Sequence, residues 1–537
     1  QRRTSQEAYR GELPRSSMLP PRCPHGDTIL RRGQRPRPVK PVGRSSLGRQ
    51  TVDAVVEARL ASASNANMTG AKLYAQGKAE AAEGYFREAL AERKALCGWE
   101  HLETLVASNN LASAVQAQGK YEEAVKLHEE THNALCRVMG SNHKEALKSS
   151  NNLAGAFYAL GRYQEAAHIH RRTLAARQET LGPDHPDTLC SASNLANALD
   201  AQGSHAEAVE LHRATLATRT QVLGELHPDT LRSSSNLGQA LAAAGELEEA
   251  ATLHKQTLAA RSEVLGDEHP DTLRSASNLA SALREQGRLQ EALRIFRETL
   301  LVRERVLGSS HPDTLKTKNN VAVVQQLQGN HAEAGLLHVE AFNSFVATLG
   351  DDHPDTLTAA GNLAHALHSQ GDLDEAARIH GESSPRRRKV LGAAHPDTMR
   401  SEFNFASTLQ AQGSHREAAR MHRENLNLQI QLLGVDHPDT VRTSSALTRA
   451  LYDLHQEEGG LDGDSALSPQ HFRSTLQEVD LFGALRNQAQ QGGMCARLQN
   501  VVHSGLEWWK KYVDVPQGQL VDYPGGGRRK GLAVTDC

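Results

Sequence analysis

The sequence predicts an all-α protein built as a solenoid of about ten stacked helix pairs. Three observations predict it. Nine histidines, His101, His143, His185, His227, His269, His311, His353, His395 and His437, stand 42 residues apart without a slip. The last seven each open the phrase His-Pro-Asp-Thr followed by Leu, Met or Val. A glycine recurs in the same register, from Gly98 and Gly140 to Gly392 and Gly434. A fixed period of this length marks stacked repeats, in which each unit touches only its neighbours and helix pairs bury one continuous core. Aromatic content of 4% leaves Ala and Leu to fill the apolar positions, which suits closely packed helices.

The unit that begins at His185 shows the local logic. Pro186 fits the first helical position, where a missing N–H does no harm, and Asp187 sits where its charge favours the helix dipole. The first helix reads from Thr188 to Leu199, and Gln202-Gly203 ends it. A second helix is predicted over residues 206–222, closed by Leu223-Gly224. In the first helix Leu189, Ala192, Leu195, Ala196 and Leu199 form the buried side, with Cys190, Asn194, Asn197 and Ala201 roughly opposite. In the second, Ala208, Leu211, His212, Thr215, Leu216, Val222 and Leu223 form the buried stripe. Neither helix hides its stripe alone.

The repeats set the domain boundaries. Residues 1–50 carry 12 Arg or Lys, three acids and seven prolines, a charge of +9 that leaves −12 for the rest of a chain totalling −3. That segment is read as a disordered, solvated basic tail; such a tail can also touch nucleic acid or acidic membrane. The solenoid is expected over residues 51–488, a capping helix over 489–514 and a Gly-rich disordered tail over 515–537. The first unit lacks the His-Pro opening but keeps Gly77, Phe86 and Arg93. In the last unit an acidic, Gly-rich insertion near 457–464 displaces the second helix.

The residues now resemble a known family. Leu195-Ala196, Leu199, Ala208 and His212 occupy the Leu-Gly, Tyr, Ala and Phe places of the tetratricopeptide (TPR) pattern, and Phe86 and Phe296 restore the aromatic. The 42-residue unit with Leu-Gly-x-x-His-Pro-Asp and Asn-Leu-Ala is similar to the kinesin light chain type, over about 430 residues. The resemblance implies a right-handed α-α superhelix of about ten TPR helix pairs. It also implies a non-enzymatic scaffold or adaptor that binds peptide segments of partner proteins in a concave groove. The alternative is the ligand-sensing repeat half of a larger signalling ATPase. A heavy-chain partner is not expected, because residues 1–50 hold no heptads. No G-x-x-x-x-G-K-[ST] loop is present either.

The first helices carry two ladders that would line such a groove. One is Asn110, Asn152, Asn194, Asn236, Asn278, Asn320, Asn362 and Asn404. The other, four residues earlier, is basic: Lys148, Arg232, Arg274, Lys316, Arg400 and Arg442. Positions i and i+4 share a face. An Asn amide can hold a peptide backbone through donor and acceptor, and the neighbouring cation can hold a carboxylate. Acidic protein segments are therefore the expected partners, in a salt-sensitive complex. The competing reading has the asparagines bridging neighbouring helices and the cations solvated.

Other chemistry is not expected. A second histidine ladder, His128, His170, His212, His254, His338, His380 and His422, falls on the buried stripe and reads as core. Metal–nitrogen bonds of about 2.0–2.1 Å cannot link equivalent histidines on helices about 8–10 Å apart. The loop histidines read as helix caps, and His365 and His368 lack an evident third ligand. No G-x-S-x-G elbow or H-E-x-x-H helix occurs, so neither an enzyme nor a cofactor is expected. The six cysteines form no C-x-x-C pair, which points to a reducing, cytoplasmic setting. Pro385 falls inside a second helix and predicts a tolerated kink on the outer layer; the alternative is a hinge or a phosphorylation site at Ser383 or Ser384.

Overall fold

A computed structural model describes residues 46–434 and 437–457. Nineteen α-helices and no strand occur among them. The helices are α1 (Ser46–Ala75), α2 (Ala79–Cys97), α3 (Leu102–Ala117), α4 (Tyr121–Met139), α5 (Lys144–Ala159), α6 (Tyr163–Leu181), α7 (Pro186–Ala201), α8 (His205–Leu223) and α9 (Pro228–Ala243). They continue as α10 (Leu247–Leu265), α11 (Pro270–Glu285), α12 (Leu289–Leu307), α13 (Pro312–Leu327), α14 (His331–Leu349), α15 (Pro354–Gln370), α16 (Leu373–Leu391) and α17 (Pro396–Ala411). The last two are α18 (His415–Leu433) and α19 (Pro438–Glu457). The described residues form two compact units, one with α1–α17 and one with α18 and α19. The expected cap at 489–514, the tail at 515–537 and most of the basic tail lie outside the described residues. At the other end α1 starts at Ser46, ahead of the boundary expected at residue 51.

Each predicted start and stop has a visible cause. In every unit from His101 to His437 the imidazole Nδ1 accepts the backbone N–H two residues on, at 3.1–3.3 Å. The histidine thus takes the capping role usually held by Ser, Thr, Asn or Asp. At the other end of α8, Gly224 has φ 89° and ψ 162°, a region open in practice only to glycine. The α7–α8 turn closes with Ser204 N–H donating to the Leu199 carbonyl at 2.8 Å, a six-to-one bond across Gly203.

Alanine sets the packing distance. One core runs without a break through α5, α6, α7 and α8: Leu153, Ala156, Phe157, Ala166, Leu174, Leu195, Ala198, Leu199 and Ala208. In the first unit, first helices of successive pairs approach one another more closely than second helices do, as α7 does α9 and α9 does α11, which places them on the inner side of the curve. The seven histidines of the second ladder are all buried.

The structure corrects the predicted faces at specific residues. Val222 and Leu223 are 51% and 36% exposed, while Val209 and Arg219 are buried in the stripe. The stripe turns toward the next loop near the helix end, so the charged residue faces inward there. Cys190 and Asn194 are each only 4% exposed rather than on an open face. Arg219 Nη2 reaches Cys190 Sγ at 3.6 Å from the far side of the pair. Helix α16 runs unbroken through Pro385, and residue 381, whose carbonyl would meet the proline ring, is a glycine. Ser383 and Ser384 are 5% and 3% exposed, so neither hydroxyl is open to a kinase. The basic residues beside them are engaged: Arg386 with Asp351 at 3.2 Å and Arg388 with Glu402 at 2.7 Å.

Candidate functional site

The asparagine ladder sits on the inner helices and does two different things. Asn110 Nδ2 donates to Asn67 Oδ1 at 3.0 Å, and Asn194 Nδ2 donates to Asn151 Oδ1 at 2.8 Å. These amides tie one unit to the one before it, as the competing reading expected. The tie needs an Asn one position earlier in the preceding unit whose amide is not already taken: behind Asn152 and Asn362 stand Asn109 and Asn319, which bond His128 and His338 instead. Asn152, Asn236, Asn320, Asn362 and Asn404 are half-buried and make no side-chain hydrogen bond among the described residues. Asn278 Nδ2 is buried without a partner among the described residues. It lines a cavity of about 320 Å³ between α9 and α11, together with Gln239, Ser281, Glu285 and His254. Gly238 replaces the Ala196 and Ala280 of sibling units there. A methyl on Gly238 would stand 2.5 Å from His254 Cε1, so the glycine lets that ring approach the inner helix.

The cations of the second ladder are paired by the Asp of His-Pro-Asp-Thr. Arg232 meets Asp229, Arg274 meets Asp271 and Arg400 meets Asp397, each at 2.7 Å. Lys316 reaches across to Asp355 of the next unit at 3.0 Å. In the second compact unit Arg442 meets Asp439 at 2.6 Å. Lys148 is exposed and has no ion pair among the described residues. The inner face is therefore a row of neutral amides beside half-exposed ion pairs. Each such pair is worth little on its own, so an incoming carboxylate can exchange with the aspartate at small cost.

Sequence reasoning missed a third ladder that organises the joints. Arg177, Arg219, Arg261, Arg303 and Arg387 lie buried on the second helices. Each Nη1 donates to the backbone carbonyl of the next unit's His-Pro-Asp aspartate, at 2.8, 3.4, 3.1, 3.0 and 3.3 Å in that order. Nη1 also donates to Ser191 at 2.9 Å, Ser233 at 2.5 Å and Ser275 at 2.7 Å, and to the Thr317 hydroxyl. Burial lowers the pKa of Arg219, Arg261 and Arg387 to about 10, so all three stay charged at neutral pH. The signal was present: Arg followed 14 residues later by Ser or Thr, every 42 residues. One unit replaces both partners, with buried Phe345 packing on Leu315 and Ala359.

The buried histidines are set by their surroundings. Desolvation pulls His128, His170, His212, His254, His338, His380 and His422 down to about 4. Two bond an asparagine of the inner helix, His128 to Asn109 at 2.9 Å and His338 to Asn319 at 2.8 Å. His368 contacts Thr408 Oγ1 at 3.2 Å. Among the described residues no group of three or more His, Cys, Asp or Glu is placed to hold a metal ion. No described helix is long and apolar enough to cross a membrane.

A sequence profile of the tetratricopeptide repeat matches residues 62–137, 145–221, 189–263, 229–305, 271–345, 313–389 and 355–424, more than half of the chain. No curated protein matches it. Among solved structures the chain is similar to a Podosopora anserina protein described as a kinesin light chain with nearly identical TPR-like repeats. Identity is 33%, covering 38% of this chain and 96% of that one, with a TM-score of 0.35. It is also similar to BtubC from P. vanneervenii, at 18% identity over 50% of this chain and 94% of that one, TM-score 0.32. The apo quorum sensor NprR from B. thuringiensis matches at 15% identity over 70% of this chain and 99% of that one, TM-score 0.42. The histidine-capped helix pairs and the profile that spans them place this chain in the tetratricopeptide repeat family.

Proposed function

We propose that this chain is a non-enzymatic interaction scaffold that holds extended segments of partner proteins along the inner face of its first helices. One observation carries the reading. Amides of Asn152, Asn236, Asn320, Asn362 and Asn404 stand one or two repeats apart on that face, half-buried and without side-chain partners among the described residues. An unpaired amide can offer one donor and one acceptor to a passing peptide backbone. A helical or strand segment has already used its backbone groups, so an extended, irregular segment is favoured. Acidic side chains on that segment would meet Lys148 directly and would exchange with aspartate at Arg232, Arg274, Lys316 and Arg400. The exchange makes a preference for acid modest at each unit and additive along the row. Lining residues for this role are Asn110, Lys148, Asn152, Asn194, Arg232, Asn236, Asn278, Lys316 and their counterparts. Asn110 and Asn194 serve mainly the frame.

The test is a fluorescence anisotropy titration of the full chain with labelled peptides of about 15 residues, sized to span the face at about 3.3 Å per residue. Acidic peptides are compared with versions in which every Asp and Glu becomes Asn and Gln. Saturable binding that weakens on neutralising the peptide and on Asn236→Ala with Asn320→Ala supports the reading. Titrations that never saturate, or that ignore both changes, remove it.

A further inference from the structure

The first compact unit touches itself across six repeats. The corner after each first helix is a glycine with positive φ, and its surroundings can be compared unit by unit. At Gly245, Gly287, Gly329 and Gly371 an added methyl would meet nothing within 4 Å. At Gly161 it would stand 2.6 Å from Pro396 Cδ and 3.3 Å from His395 Cδ2, and at Gly119 it would stand 3.6 Å from Val390 Cγ1. Gly161 and His395 belong to units six apart, and so do Gly119 and Val390. Exposure agrees: His395 is 8% exposed, whereas the other capping histidines are half-buried or exposed.

The aromatic residues just past these corners report the same approach. Tyr121 is raised above the ordinary phenol range by burial, with Asp355 and Asp397 adding to the shift. Tyr163 is raised by burial, then by Tyr158 and Asp397, with Arg400 opposing. Tyr121 to Asp355 and Tyr163 to Asp397 are the same relation one repeat apart. Tyr158 and Tyr163 also meet in a tilted contact, with 5.1 Å between ring centroids. The contact is thus a seam with a register.

We propose that this seam is a latch: the corners at Gly119 and Gly161 dock on Val390 and His395-Pro396 and hold the first unit closed after six repeats. Opening and closing need only small, cumulative changes at each helix joint, because a solenoid's curvature is set by the rotation per repeat. The seam carries glycine, proline and tyrosine rather than a deep apolar plug, which suits a contact that can part. If the inner face binds peptides, the closed form admits a chain from its ends, and the parted form admits it from the side.

The experiment uses the full chain and an internal control. Gly161→Ala and Gly245→Ala place the same methyl on corners with φ of 77° and 84°, so both carry the same backbone cost; only Gly161 faces another element. Small-angle X-ray scattering and amide hydrogen exchange read the result. We expect Gly161→Ala to lengthen the particle and to speed exchange over residues 158–163 and 395–400 about tenfold, with Gly245→Ala unchanged in both. Adding Pro396→Ala to Gly161→Ala makes room for the methyl and restores the wild-type scattering. Equal behaviour of Gly161→Ala and Gly245→Ala, or strict additivity in the Gly161/Pro396 cycle, overturns the latch. Scattering needs no ligand, so a chain that binds no peptide would end the groove reading while the latch still stands or falls on the scattering alone.

Discussion

Arg219 on α8 and Ser233 on α9 meet at 2.5 Å across the loop that joins two repeats. The same guanidinium holds the Asp229 carbonyl, the third residue of His-Pro-Asp-Thr. A buried cation of this kind spans five of the joints, and the motif there supplies backbone as well as caps.

Removing that cation should loosen the joint. Arg219→Ala strands the Ser233 hydroxyl and the Asp229 carbonyl and should cost about 3 kcal/mol. The chain itself shows the remedy, since Phe345 faces Ala359 where siblings have Arg and Ser. Arg219→Phe with Ser233→Ala should lose less than the sum of the two single changes. Denaturant titration and local hydrogen exchange decide it; simple additivity would mean that the pair does not act as a unit.

The buried histidines make the array acid-sensitive. Seven rings are neutral when folded and take a proton near 4, against 6.5 when unfolded. The unfolded chain binds more protons in that window, so stability is complete above pH 6.5 and falls as the pH drops toward 4. The slope approaches about 1.4 kcal/mol per pH unit for each ring. Thermal melts from neutral pH downward should show it. His212→Phe, copying Phe296, should flatten the slope, and an unaltered slope would assign the sensitivity to other groups.

Charge reversal on the inner face should act on binding and not on folding. Arg232→Glu with Arg274→Glu opposes Asp229 and Asp271, but the pairs lost are partly exposed and worth about 0–1 kcal/mol each. Circular dichroism should be unchanged, while an acidic peptide binds about tenfold more weakly or worse. Lys148→Glu should weaken binding at least as much per residue, because no aspartate masks that lysine. Unchanged affinity in both variants would move the ligand off this face.

Pro385→Ala should raise the melting temperature. Alanine supplies the missing N–H to the Gly381 carbonyl and improves helix propensity, worth about 1–3 kcal/mol. A lower melting temperature would show that the packing of Arg386, Arg387 and Arg388 requires the proline's geometry.

Sequence alone determined the period, the helix pairs, their ends and the histidine core. Those follow from local rules: His185 caps the chain it sits on, Pro186 fits the first turn beside it, and Gly224 needs only its own φ and ψ. Tertiary structure decided which polar groups face whom. Asn194 and Asn236 are identical in sequence register, yet one is spent on Asn151 and the other is not, because the residue opposite differs in the preceding unit. Arg219 looks like a surface residue until the next repeat brings Ser233 and a carbonyl to it. The seam between Gly161 and Pro396 lies further still from local rules. It depends on small rotations summed over six joints, a quantity that no single repeat carries.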